Sequence, residues 1–155
     1  TGGGGINKSQ PKNVTIDKLL SAALPELKKQ LSDKSPGVVA SAAFALGEIA
    51  DESAITALMG CFGQEDANIR KMAAEAVAKI GQAAVKPLVK ALGDTHWLIK
   101  HSACISVIAI SNRQPELIPE LLPSVLTLLK DDNWLVRSQA AQVFADVAKH
   151  HNHTD

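Results

Sequence analysis

Apolar residues recur along this chain at helical spacing, and the groups they form recur in turn. Four segments place apolar or small residues at i, i+4, i+7, i+8 and i+11, which is one face of an α-helix. They are Val38, Ala42, Ala45, Leu46, Ile49; Ile69, Ala73, Ala76, Val77, Ile80; Ile99, Ala103, Ser106, Val107, Ile110; and Val136, Ala140, Val143, Phe144, Val147. Small residues at the second and third places allow a neighbouring helix to approach closely. A turn precedes each segment: Leu31-Ser-Asp33, Phe62-Gly-Gln64, Leu92-Gly-Asp94 and Leu129-Lys-Asp131. From Asp33 to Gln64 is 31 positions, from Gln64 to Asp94 is 30, and from Asp94 to Asp131 is 37.

A second helix is predicted before each turn, on Leu24, Leu27, Leu31; Ile55, Leu58, Phe62; Val85, Leu88, Leu92; and Leu122, Val125, Leu129. Each unit therefore reads as helix A, turn, helix B. Asp51-Glu-Ser53, Gly81-Gln82 and Ser111-Asn-Arg-Gln-Pro115 separate the units with turn and cap residues. Pro25, Pro87 and Pro123 fall in A helices, where a missing backbone donor starts or kinks the helix. Asp17 to Leu24 aligns with Pro115 to Leu122, which carries the first A helix back to about Val14. The reading is an all-α chain, an α-solenoid coiled as a right-handed superhelix of about four helical pairs over residues 14–149. A flexible segment (1–13) precedes it and a tail (150–155) follows. A helical pair cannot bury its apolar face alone, so stacked pairs share one core, with B helices on the inner face.

Composition sharpens this picture without redirecting it. The 155 residues are 46% hydrophobic and only 3% aromatic, with no Tyr. Ala, Leu, Val and Ile carry the apolar content, which suits closely packed helices. Sixteen Lys and Arg balance sixteen Asp and Glu, so bulk charge argues against nucleic acid as a partner. No apolar run is long enough to span a bilayer. Cys61 and Cys104 sit in apolar stretches and read as reduced core thiols of a cytoplasmic protein.

The residues then resemble a known family. Ala43-Phe-Ala-Leu-Gly-Glu-Ile-Ala50, with its variant Ala74-Glu-Ala-Val-Ala-Lys-Ile-Gly81, resembles the short HEAT-like repeats of phycobilisome lyase subunits. Asp131-Asp-Asn-Trp-Leu-Val-Arg137 resembles the turn of the longer general HEAT unit, and Asp94-Thr-His-Trp-Leu-Ile-Lys100 keeps the pattern with Lys for Arg. The resemblance covers about residues 16–149 and implies HEAT-type pairs. It leaves function open, because HEAT arrays serve as scaffolds, adaptors, lyase subunits and DNA-repair proteins.

Several residues carry two readings each. Arg70, Lys100 and Arg137 share one repeat position, which Val39 fills in the first unit. They form either a basic ladder for acidic partners or a set of hydrogen bonds to the turn acids Asp66, Asp94, Asp131 and Asp132. Trp97 and Trp134 are either exposed anchors or plugs between helices A and B. The inner face carries Phe44, Glu48, Lys71, Glu75, Lys79, His101, Ile105, Gln142 and Asp146 as candidate partner-binding residues. Phe44 and Ile105 are its apolar anchors, unless they pack between B helices. The cluster His150, His151 and His153 could ligate a metal, but it lies at a chain end without a supporting shell. His96 and His101 are five apart and do not share a helical face. The His-Glu pairs of HEAT-type hydroxylases are absent from the sequence.

No nucleophile elbow or phosphate-cradling glycine loop is present. The expectation is a non-catalytic protein-interaction scaffold, not an enzyme, without cofactor or metal, binding another protein on the B-helix face. A fourth unit without a polar cap adds an expectation of self-association there. Two alternatives stand beside it. One is a lyase-type or phycobilisome-associated subunit acting with a partner chain. The other is a HEAT-like DNA-binding domain, which would need a basic inner face.

Overall fold

Caps written into the sequence decide where the helices begin. In the computed structural model, which describes residues 13–153, the Asn13 side chain accepts the Ile16 N–H at 3.1 Å and opens α1 (Val14–Gln30). Pro36 stands in the first turn of α2 (Pro36–Ile49), where its missing donor costs nothing. A 3-10 turn (Glu52–Ala54), capped by Asp51, leads into α3 (Ile55–Met59). Asp66 accepts from Asn68 and Ile69 and opens α4 (Ala67–Ile80). A second 3-10 turn (Gln82–Ala84) precedes α5 (Val85–Leu92), and His96 caps α6 (Trp97–Arg113) through Nδ1. A third (Pro115–Leu117) precedes α7 (Ile118–Leu128), and Asn133 caps α8 (Trp134–Asn152). No strand occurs among the described residues. The expected flexible N-terminal segment lies almost wholly outside the described residues. α8 runs to Asn152, so His150 and His151 stand on a helix rather than beyond it.

The eight α-helices of the described residues form four pairs, α1–α2, α3–α4, α5–α6 and α7–α8, and the even-numbered helices stack on one another. The odd-numbered helices pack appreciably only between α5 and α7. This is the all-α solenoid that the repeat predicts. Leu46, Leu58, Phe62, Val77, Leu88, Leu92, Val107, Ile110, Leu121, Val125 and Val136 are fully buried in one continuous core. Each such side chain contributes roughly 1.5–3 kcal/mol on leaving water.

Close stacking explains two residues of the Ala43–Ala50 motif. A Cβ built on Gly47 would lie 2.7 Å from the Ala76 Cα, so only glycine lets α2 and α4 approach as they do. Ala50 ends α2 in the left-handed conformation, with φ at 59°. The corresponding residue of the next unit is Gly81, with φ at 85°.

The fourth A helix departs from the expected register. Its buried residues are Ile118, Leu121, Val125 and Leu128, whereas Leu122 is half-buried and Leu129 is exposed. The 3-10 turns at Gln82 and Pro115 are 33 positions apart, but the turn acids Asp94 and Asp131 are 37 apart. The four extra residues add about one helical turn within the fourth unit. They shift the buried stripe by one position.

Candidate partner-binding surface

Stacking of α2, α4, α6 and α8 presents one row of side chains per helix. On α2, Phe44 is 49% exposed and Glu48 is exposed. From α4, the Lys79 ammonium lies 4.3 Å from the Phe44 ring centroid and forms an ion pair with Glu48. Phe44, Glu48 and Lys79 thus make one cluster bridging the first two units. The hydrogen bond from Lys79, and then its charge, hold the Glu48 carboxyl below its ordinary range. Lys71 is exposed and Glu75 half-buried on the same helix.

On α6, Ile105 packs against the core, so at this position the packing reading prevails over the exposed anchor. His101 meets Trp97 edge to face at 6.2 Å. Burial, and then the nearby Arg70 charge, lower the pKa of His101. At the far end Gln142 donates to Asp146 at 3.1 Å along α8. The structure therefore joins Phe44, Glu48 and Lys79 in contact, and spreads the remaining candidates over the stack.

The two tryptophans part company. Trp97 packs against the core, but Trp134 is 66% exposed at the start of α8. The third unit has the fourth stacked on it through α6 and α8, whereas Trp134 stands on the last described unit.

The basic ladder bonds inward. Arg70 donates to the carbonyls of Gln64 (2.6 Å) and Glu65 (2.8 Å), and Arg137 to those of Asp131 (2.8 Å) and Asp132 (3.1 Å). The arginines thus hold turn carbonyls rather than turn carboxylates. Lys100 alone of the three pairs with a carboxylate, that of Asp131 in the next unit's turn. Val39 is buried at the matching place in α2.

Two buried serines bond between units, a role the sequence did not reveal, although Ser106 stands on the expected B-helix face. Ser102 donates to the Phe62 carbonyl and Ser106 to the Ala74 carbonyl, each at 2.8 Å and each in a neighbouring unit. Their i, i+4 spacing in an apolar helix was the available signal. Cys61 and Cys104 are free and buried. Burial, and then the Asp131 charge, push the Cys104 thiol up to about 12, which leaves it protonated and unreactive. Among the described residues no group of three or more His, Cys, Asp or Glu is placed to hold a metal. None of their helices is long and apolar enough to cross a membrane.

Comparison with known proteins agrees with this architecture. Residues 24–109 match a family model of HEAT repeats, and residues 121–151 match a HEAT repeat model. Among solved structures the chain is similar to the complex of CpcE and CpcF of phycocyanin lyase from Nostoc sp. PCC7120. The identity is 21%, the match covers 84% of this chain and 85% of that chain, and the TM-score is 0.56. At that identity the likeness is one of fold. No curated protein matches the sequence. The lyase likeness corrects one expectation, that a chain of this kind is not an enzyme. A lyase complex is built on this fold, so the absence of familiar catalytic motifs does not exclude an enzymatic role. The chain belongs to the HEAT-repeat family.

Proposed function

We propose that this HEAT-repeat chain is the binding subunit of a larger assembly, and that it holds a second protein on the surface formed by α2, α4, α6 and α8. The observation that carries this reading is the cluster around Phe44. A half-exposed aromatic ring stands beside a paired cation and anion, so a partner can bury apolar area while meeting both signs of charge. Exposed Lys71 and Gln142 and half-buried Glu75, His101 and Asp146 extend the surface along the stack, and exposed Trp134 stands at its far end. Mixed charge over this row argues against a nucleic-acid backbone as the ligand.

The test is affinity capture from a lysate of the source organism, with the wild-type chain beside the Phe44→Ala variant and the Lys71→Glu, Lys79→Glu double variant. A protein retained by the wild type and lost from both variants is the expected result. A partner retained equally by all three would refute the assignment to this face.

A lyase-type role together with a partner chain is the second reading. It is favoured by the fold likeness to the phycocyanin lyase complex over 85% of the matched chain. It predicts that the chain, alone or with its captured partner, perturbs the absorbance of a linear tetrapyrrole. An unchanged spectrum in both cases would count against it.

A further inference from the structure

Between α7 and α8 lies an apolar groove of about 680 Å³. Ile118, Leu122 and Leu126 line it from α7 at four-residue spacing, over about 12 Å of helix. Phe144 and Val147 face them from α8. Leu126 is 58% exposed. One unit earlier in the array, α5 is covered by the odd-numbered helix that follows it, α7. The groove is where a further odd-numbered helix would lie.

The chain carries such a helix at its other end. α1 is the odd-numbered member of the first pair, and its N-terminal half leaves Ile16, Leu19 (65% exposed) and Leu20 uncovered. With Ala23 these occupy i, i+3, i+4 and i+7, one apolar stripe about 10 Å long. The register also fits. If α1 lay on α7 in the same sense as α7 on α5, its N-terminal half would meet the N-terminal half of α7. The groove overlaps that half at Ile118, Pro119, Leu122 and Pro123, and continues past it to Leu126 and along the C-terminal half of α8.

We propose that a second copy of this chain fills the groove, the stripe of Ile16, Leu19 and Leu20 on α1 of one copy seating between α7 and α8 of the next. The contact continues the repeat stack from one molecule into another. It is heterologous, so it does not close on itself at two copies. It also leaves the surface around Phe44 uncovered, so its failure and the failure of the proposed function are separate results.

Sedimentation velocity on the 155-residue chain tests this, over roughly 1–500 µM, the range in which a contact of modest size associates. The expected result is a mean mass that rises with concentration past that of a dimer. Leu19→Asp and Leu126→Asp each place a charge on an exposed position, so helix content by circular dichroism stays unchanged. Each weakens association at least about tenfold. Mixed together, the two variants form a one-to-one dimer that grows no further, because each supplies the end the other lacks. A wild type that stays monomeric throughout overturns the proposal. So does a Leu19→Asp variant that associates like wild type, which would indicate a groove-to-groove dimer. A mixture that stays monomeric overturns it as well.

Discussion

The Lys100–Asp131 pair fastens the fourth unit to the third, and removing it should loosen the array from that end. The two side chains are 15% and 11% exposed, so the pair is neither a surface bridge nor fully dry. Surface pairs contribute at most about 1 kcal/mol, whereas breaking a fully buried pair costs roughly 3–5 kcal/mol. Asp131 also accepts the Asn133 N–H at 3.0 Å, and asparagine can keep that bond while losing the charge. Asp131→Asn should therefore cost about 2 kcal/mol at pH 7, and Lys100→Met a similar amount. The double variant should fall short of their sum by about 1–2 kcal/mol. The pH dependence has a definite sign. Burial alone would raise the Asp131 carboxyl, but the Lys100 hydrogen bond, the Asn133 N–H and the Lys100 and Arg137 charges outweigh it and hold it below its usual 3.8. Its stabilisation is thus complete above the unfolded-state value and is lost as pH falls through the lower folded-state value. Urea unfolding followed by circular dichroism should show wild type and Asp131→Asn well separated at pH 7 and converging below the usual 3.8. Hydrogen exchange should quicken first in α7 and α8, since repeat units open from a weakened interface. A loss under about 0.5 kcal/mol at pH 7, or a gap that persists unchanged into acid, would refute the reasoning.

Gly47→Ala should lower the urea midpoint by the equivalent of about 1–2 kcal/mol, because the strain of parting α2 from α4 exceeds the roughly 1 kcal/mol that alanine contributes within a helix. A raised midpoint would show that the two helices part freely. Ala50→Gly should raise the midpoint by about 0.5–1 kcal/mol with an unchanged slope, since glycine adopts the left-handed C-cap without strain. A lowered midpoint would mean that the alanine methyl packs to greater advantage than its backbone strain costs.

The helical pairs were legible because every B helix repeats the same five-place apolar face, and stacked pairs have only one way to bury it. The register of the fourth A helix was not. The 37-residue spacing is a single number, and it does not say where the added residues lie. Insertion of about one turn within the unit leaves its B helix in phase but moves burial from Leu122 and Leu129 to Leu121 and Leu128. Among the candidate site residues, Phe44, Glu48 and Lys79 share a repeat face, and spacing alone grouped them. The two readings of Trp97 and Trp134 could not be separated by spacing, because the residues occupy identical repeat positions. What differs is burial, since Trp97 packs against the core and Trp134 is exposed. The bonds of Ser102 and Ser106 were hidden for a related reason, since their acceptors are carbonyls of another unit.

Lys79 has two roles, and they bear on how the capture experiment is read. It bridges the first two units through Glu48 and also stands over the Phe44 ring. Lys79→Glu therefore breaks an inter-unit bond and also reverses a charge on the proposed surface, setting a second carboxylate near Glu48. With side chains 20% and 56% exposed, that bond belongs to the surface class and contributes under about 1 kcal/mol. Ser106, bonded between α6 and α4 in the core, is untouched by the change, and the backbone approach of Gly47 to Ala76 remains, although the Lys79 stem beside it is shortened. The array should accordingly stay folded in the Lys71→Glu, Lys79→Glu variant, with a midpoint within about 1 kcal/mol of wild type. Given such a midpoint, loss of a captured protein reports on the surface and not on the stack. Phe44→Ala makes the same point from the other side, because it deletes the exposed ring and leaves the Lys79–Glu48 bond in place.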